Sequence, residues 1–143
     1  MNKKFKLLNH TADIKVEIYG NDINDLFNSG YLAWRYIVSE INEIKTEDKD
    51  IKISISENNL EYLLAEYIKE LNYYLTVKKI MLINPKITFT QNDEKYTINC
   101  EFTELNINEN DIIIKEEIKA VTLHKLSITN SNNKLIAKII LDV

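Results

Sequence analysis

The sequence predicts an α+β fold, a largely antiparallel β-sheet packed against two α-helices on one face. Two kinds of periodicity predict it. Apolar residues alternate with polar ones at Ile14, Val16 and Ile18, at Ile51, Ile53 and Ile55, and at Tyr96, Ile98, Cys100 and Phe102, the period-two pattern of half-buried strands. Two other segments carry apolar residues three and four apart, the stripe of an amphipathic helix. A third observation sets the scale. The 143 residues are 45% hydrophobic and show no repeat, linker or composition shift, so residues 1–143 are expected to form a single domain with one core.

Residues 5–19 read as two strands joined by a tight connection at 9–12. Gly20-Asn21-Asp22 ends the second strand, and Asp22 is the expected N-cap of a helix with Ile23, Phe27, Gly30, Trp34 and Ile37 on one stripe. Gly30 would let the helix approach a strand closely. Residues 42–50 are polar and read as a loop. A strand follows at 51–55. Asn58 with Glu61 three residues later predicts the cap of a second helix, whose stripe is Leu60, Leu63, Leu64, Tyr67, Ile68, Leu71 and Leu75. Segments 80–90 and 95–103 read as strands around a turn at 91–94. A polar stretch at 104–111 precedes a long strand pattern at 112–129. Asn130-Ser131-Asn132-Asn133 is a turn, and the final strand is 135–141.

Composition excludes several function classes. The formal net charge is −4, with one arginine, Arg35, and scattered lysines. Such a chain lacks the basic stripe of a direct nucleic-acid binder, so any action on RNA is expected to pass through another protein. Two glycines ten residues apart cannot form a phosphate-cradling loop. The lone Cys100 excludes a disulfide framework and points to a reducing, cytoplasmic setting. No apolar run reaches the length of a membrane span, and no signal peptide is expected at the N-terminus.

The chemistry-bearing candidates are acidic. Asp13 lies in His10-Thr11-Ala12-Asp13-Ile14. Asp142 follows the apolar run Ile139-Ile140-Leu141. Each interrupts a segment that reads as a buried strand, where a carboxylate needs a partner. The plainest readings are a turn-former for Asp13 and a solvated terminal residue for Asp142. Taken together they suggest a shared site for a divalent cation, with Val143 and its carboxylate as a further oxygen source. His10 is expected to hold the turn around Asp13, and His124 to lie against the sheet. Cys100 falls on an inward strand face and is expected to be inert. Lys119 is a lone cation in a strand pattern, either solvated or a point charge that meets phosphate or balances the carboxylates. Glu70 reads as a solvated helix residue.

Three separated segments, His10-Thr11-Ala12-Asp13-Ile14, Lys119-Ala120-Val121-Thr122-Leu123-His124-Lys125-Leu126 and Leu141-Asp142-Val143, together resemble the archease family. The resemblance covers essentially the whole chain. It departs from the family at Leu123, where many members have tyrosine. It implies an accessory protein of the RtcB-type RNA ligase, which seals 3′-phosphate or 2′,3′-cyclic phosphate ends in tRNA splicing and RNA repair. The implied role is to promote guanylylation and multiple turnover of that ligase. GTP would bind the ligase, RNA would be met indirectly, and no membrane partner is implied. The resemblance also implies a divalent cation, calcium in family members, at Asp13, Asp142 and Val143. It places Glu70 and Lys119 on family positions, so that Asp13, Glu70, Lys119 and Asp142 would act in partner activation. His10 and His124 would be supporting residues. The protein would then be no enzyme. The rivals are a metal-dependent hydrolase using the same carboxylates and a metal-binding, chaperone-like or scaffolding module without ligase chemistry.

Overall fold

A hydrogen-bonded cap fixes where the first helix begins. Asp22 accepts from the Asp25 backbone N–H at 2.7 Å, and the Asp25 carboxylate accepts from the Asn21 N–H at 2.8 Å. One orphan helix donor, and the N–H just before the cap, are thus satisfied at the start of α1 (Ile23–Val38). The second helix, α2 (Leu60–Thr76), is capped by Asn59, which accepts from the Tyr62 N–H at 2.8 Å. The cap is therefore one residue later than the Asn58–Glu61 spacing predicts. Of the two adjacent asparagines, Asn59 is the one in reach of the N–H three residues on. The computed structural model describes residues 3–8, 12–47 and 49–143.

Nine strands accompany the helices among the described residues, and every pairing is antiparallel. The α+β architecture expected from the sequence is what forms. The strands divide into three sheets. The largest is β1 (Phe5–Leu8), β2 (Asp13–Gly20), β9 (Lys134–Asp142) and β8 (Ala120–Ser131), in that spatial order. A second has the order β4 (Asp50–Glu57), β6 (Lys95–Asn106), β5 (Ile80–Asn92), and a two-stranded ribbon joins β3 (Ser39–Glu43) to β7 (Asp111–Ile114).

The helices lie between the two larger sheets. On α1, Tyr31 donates its hydroxyl to the Leu82 carbonyl of β5 at 2.6 Å, while Gly30 lies close to Ile18 of β2. On α2, Tyr67 stacks on Phe102 of β6, and Asn72 donates to the Ile118 carbonyl just before β8 at 2.9 Å. Alternation along a strand tells which residues point inward. It does not tell how strands are shared between sheets, so the expectation of helices on one face gives way to this layered arrangement. The core is correspondingly wide, with Trp34, Tyr31, Tyr67, Phe27, Leu63 and Leu71 all at most 1% exposed.

Three local expectations are corrected. Residues 39–43 form β3 directly after α1, with the Ser39 N–H and hydroxyl both donating to the Arg35 carbonyl. The strand pattern at 112–129 is split into β7 and β8, which belong to different sheets. Lys119 consequently precedes β8 instead of lying within a strand. The turns agree better with the sequence. Asn132 and Asn133 have φ of 53° and 63° between β8 and β9, the positive values that a two-residue type I′ hairpin needs. Pro85 falls beside a register shift in β5, an edge strand of its sheet, where its missing N–H costs nothing.

The two glycines have opposite roles. A Cβ on Gly20 would lie 2.6 Å from the Leu26 Cα and even closer to the Leu26 backbone nitrogen. A Cβ on Gly30 would meet Leu64, Ile68 and Ile18 at 3.5–3.8 Å, an ordinary contact distance. It would also border a small apolar void of about 10 Å³. The close approach expected at Gly30 thus belongs to Gly20. Gly30→Ala should raise stability by about 1 kcal/mol through helix propensity. Gly20→Ala should lower it by about 1–3 kcal/mol through overpacking. Chemical denaturation of both variants measures the difference, and a loss of stability in Gly30→Ala would sink this assignment.

Buried titratable groups set the alkaline limit. Burial pushes the Cys100 thiol from 9.0 up to about 12. Burial likewise raises Tyr31 to about 12 and Tyr67 well above its ordinary value. Below pH 9 the thiol is protonated in both the folded and unfolded chain. Above that pH the unfolded chain releases its proton first, so stability falls as pH rises. The tyrosines join from about pH 10. Unfolding free energies measured between pH 9 and 10 should therefore decline, and Cys100→Ala should flatten that decline whatever its own stability.

Candidate functional site

Antiparallel pairing of β2 with β9 sets the first residue of one strand beside the last of the other. Asp13 is thereby the direct cross-strand partner of Asp142. Side chains of the same parity share a face. Val16 and Ile18 pair with Ile139 and Ala137 on the buried side, whereas Lys15 and Glu17 pair with Ile140 and Lys138 on the outer side. Asp13 and Asp142 belong to the outer row. Both are half-buried, not enclosed in the core as their apolar neighbours suggest. Directly opposed residues have Cβ atoms roughly 4.5–5.5 Å apart, and like charges placed there repel. A cation between the two carboxylates would remove that repulsion.

The other edge of β9 adds a cationic residue. Ala120 is the β8 partner of Asp142, and the Lys119 backbone N–H donates to the Asp142 carbonyl at 2.7 Å. Asn72 holds the preceding residue through the Ile118 carbonyl, and its own amide oxygen lies 3.4 Å from the Trp34 indole nitrogen. Residues 118–120 are thus pinned between α2 and β9. The Lys119 side chain is exposed. Val143 follows Asp142 and is half-buried. These placements gather Asp13, Asp142, Val143 and Lys119 at one end of the four-stranded sheet.

The remaining candidates are less closely joined. Glu70 is half-buried in the last two turns of α2, the part of the helix that carries Asn72, and has no hydrogen-bond or ion-pair partner among the described residues. His10 lies outside the described residues. His124 is exposed and does not pack against the sheet. It sits where the β8–β9 register shifts between Thr122 and Ser127, beside Leu123, which is 50% exposed.

The donor set decides what this end of the sheet can do. It offers carboxylate and backbone oxygens, which suit a hard divalent cation. Among the described residues no three His, Cys, Asp or Glu side chains are grouped to hold a metal, so a cation here would rest on the aspartate pair and backbone oxygen. Cys100 is 1% exposed in β6, in the other large sheet, and supplies no nucleophile. Sequence reasoning missed Asn72. A single amide between Leu71 and Tyr73 gives no hint of a partner 46 residues away.

Comparison with known proteins identifies the family and the fold. Residues 5–143 match the model of the "Archease protein family (MTH1598/TM1083)". The chain is 27% identical to the protein archease of Methanosarcina barkeri over 142 residues, covering 99% of this chain and 97% of that protein. It is also 27% identical to the protein archease of Sulfurisphaera tokodaii, with 99% of each chain covered. The fold is similar to the solution structure of Methanobacterium thermoautotrophicum protein 1598, with a TM-score of 0.81, 22% identity and 97% and 98% of the two chains covered. It is similar to the crystal structure of "an archease, possible chaperone" from Thermotoga maritima, with a TM-score of 0.62, 17% identity and 100% and 98% covered. A family match over nearly the whole length, with a shared fold, establishes that this chain belongs to the archease family.

Proposed function

We propose that the protein is a non-catalytic accessory of an RtcB-type RNA ligase, acting in tRNA splicing and RNA repair by promoting guanylylation and multiple turnover of the ligase. The observation that carries the reading is the direct cross-strand opposition of Asp13 and Asp142, with Lys119 tied to the Asp142 carbonyl. Two carboxylates held opposite each other on paired strands suit the positioning of a cation.

In this reading Asp13, Asp142 and an oxygen of Val143 hold a divalent ion, calcium or another hard cation. The ion supplies positive charge where a phosphate-bearing partner site approaches. The opposed strands keep the two carboxylates at a fixed spacing. Lys119, its backbone anchored and its ammonium in solvent, meets a phosphate oxygen as a point charge. Glu70 on α2 would contribute a further acidic contact to the partner. The ligase binds GTP and performs the chemistry. A cytoplasmic setting is consistent with the single cysteine, and no helix among the described residues is long and apolar enough to cross a membrane.

A second reading is a chaperone-like module in which the aspartate pair only ties the sheet end together. It is favoured by the same opposition of charges, since a cation there would clamp β2 to β9. The two readings separate in one experiment. Guanylylation of the cognate ligase is followed with limiting ligase, GTP and Mn²⁺. Asp13→Ala and Asp142→Ala should each reduce the acceleration at least tenfold, while the circular dichroism spectrum is unchanged. Full acceleration by Asp13→Asn, with a lowered Tm, would establish the clamp instead.

Metal binding has its own readout. Saturating calcium or manganese should raise the Tm of the wild-type chain, as any ligand of the folded state does, with about 2.7 kcal/mol of added stability at a hundredfold excess over Kd. Asp13→Asn with Asp142→Asn should abolish the rise. A rise that persists in the double variant would remove the aspartate pair as the cation site.

A further inference from the structure

The outer face of the four-stranded sheet carries a second feature, next to the aspartate pair. A recess of about 210 Å³ is lined by Leu8, Lys15, Glu17, Lys125, Lys138 and Ile140. Lys15 and Ile140 are cross-strand partners, as are Glu17 and Lys138, so the recess sits one strand repeat from Asp13 and Asp142 on the same face. None of the three lysines is ion-paired among the described residues. Three ammonium groups and one carboxylate leave this spot positive on a chain whose net charge is −4.

Lys125 reaches the recess by an unusual backbone. The register of β8 against β9 runs Thr122 to Ile140 and then Ser127 to Lys138. Five steps on β8 therefore match two on β9. Lys125 lies in this bulge with φ of 56°. The left-handed region is unfavourable for a lysine, which lacks the short polar side chain that stabilises it in asparagine or aspartate. Bulges and strained residues that re-aim a side chain are concentrated where ligands bind. The bulge also interrupts β8, an edge strand of its sheet, which makes that edge a poor template for an added peptide strand.

We propose that this recess binds the phosphodiester backbone of a single RNA strand. The lysines act as point charges on phosphate oxygens, and the apolar floor of Leu8 and Ile140 strengthens their field by excluding water. The recess is smaller than the roughly 300–1,000 Å³ typical of small-molecule sites. It accepts one phosphate group at a time, with the rest of the ligand outside, which suits a strand lying across the sheet better than an enclosed nucleotide. The net negative charge of the whole chain keeps the contact weak and local. The proposal does not depend on ligase activation, because binding is read on the isolated protein.

The test is an NMR titration of the ¹⁵N-labelled full chain with a short single-stranded RNA at low salt. Shifts should concentrate on Lys15, Lys125, Lys138 and Ile140. The triple variant Lys15→Gln/Lys125→Gln/Lys138→Gln should bind at least tenfold more weakly. An equal charge change on the other large sheet, Lys52→Gln/Lys86→Gln/Lys95→Gln, should alter affinity less than about threefold. One phosphate held in the recess implies that log K falls with log salt at a slope of roughly −0.7. Equal losses in both triple variants, or shifts outside the recess, would overturn the proposal. Polyglutamate that shifts the same residues with equal affinity would assign the recess to an acidic protein partner and overturn it as well.

Discussion

The pairing of β2 with β9 is the constraint from which the rest of the molecule follows. It joins an early strand to the last one over eight residue pairs, from Asp13–Asp142 to Gly20–Leu135. Its inner row, Val16, Ile18, Ala137 and Ile139, receives α1 and closes one side of the core. Its outer row holds Asp13, Lys15, Glu17, Lys138 and Asp142. A slip of one residue would exchange the two rows, putting aspartates and lysines against the helices. The burial of Val16, Ile18 and Ile139 therefore fixes the register, and the register fixes the opposition of Asp13 and Asp142. The site is a by-product of core packing, which is why a mutually repelling pair of like charges can persist there.

Gly20 supports the same arrangement at the opposite end of the strand. It lets β2 run directly under the first turn of α1, where any side chain would meet the Leu26 backbone. The Asp22 cap then starts the helix within two residues of the strand end. The helix direction is thus set by one missing Cβ and one carboxylate. Because α1 also carries Tyr31 to Leu82 and Trp34 toward Asn72, this turn determines how the two larger sheets face each other.

Much of this was legible in the residues, and the failures have physical causes. Helix stripes, strand alternation and the Asp22 cap depend on neighbours a few residues apart, and these were read correctly. The split of 112–129 was not, because isoleucine-rich segments look alike whichever sheet they join. Residues 39–43 were missed because Ser39-Glu40-Ile41-Asn42-Glu43 has one apolar residue and forms a strand only by pairing with β7. Asp13 and Asp142 stand out as candidates in the sequence because each carboxylate interrupts an apolar run. The opposition itself depends on a register set 129 positions away in the chain. Lys125 carries no signal, since a lysine alternating with apolar residues in a strand pattern is ordinary. Its significance lies in the bulge, which arises from pairing and not from composition.

The outer face is electrically divided, and the division has a length scale. Residues two apart on a strand are roughly 6.4–6.8 Å apart along it, so the Asp13–Asp142 pair and the Lys15 level are neighbours. A face of lysines alone would attract any polyanion, and a face of aspartates alone would attract only cations. Placed one repeat apart, the two favour a ligand that brings both signs, a phosphate together with its counter-cation. That requirement is stricter than either charge imposes separately. It would also let an acidic chain meet phosphate: the long-range field repels nucleic acid, and attraction begins only within about a Debye length, roughly 8–10 Å. Such a protein would bind free RNA only weakly and at low salt, and would engage a phosphate most readily once a partner has delivered it to its surface.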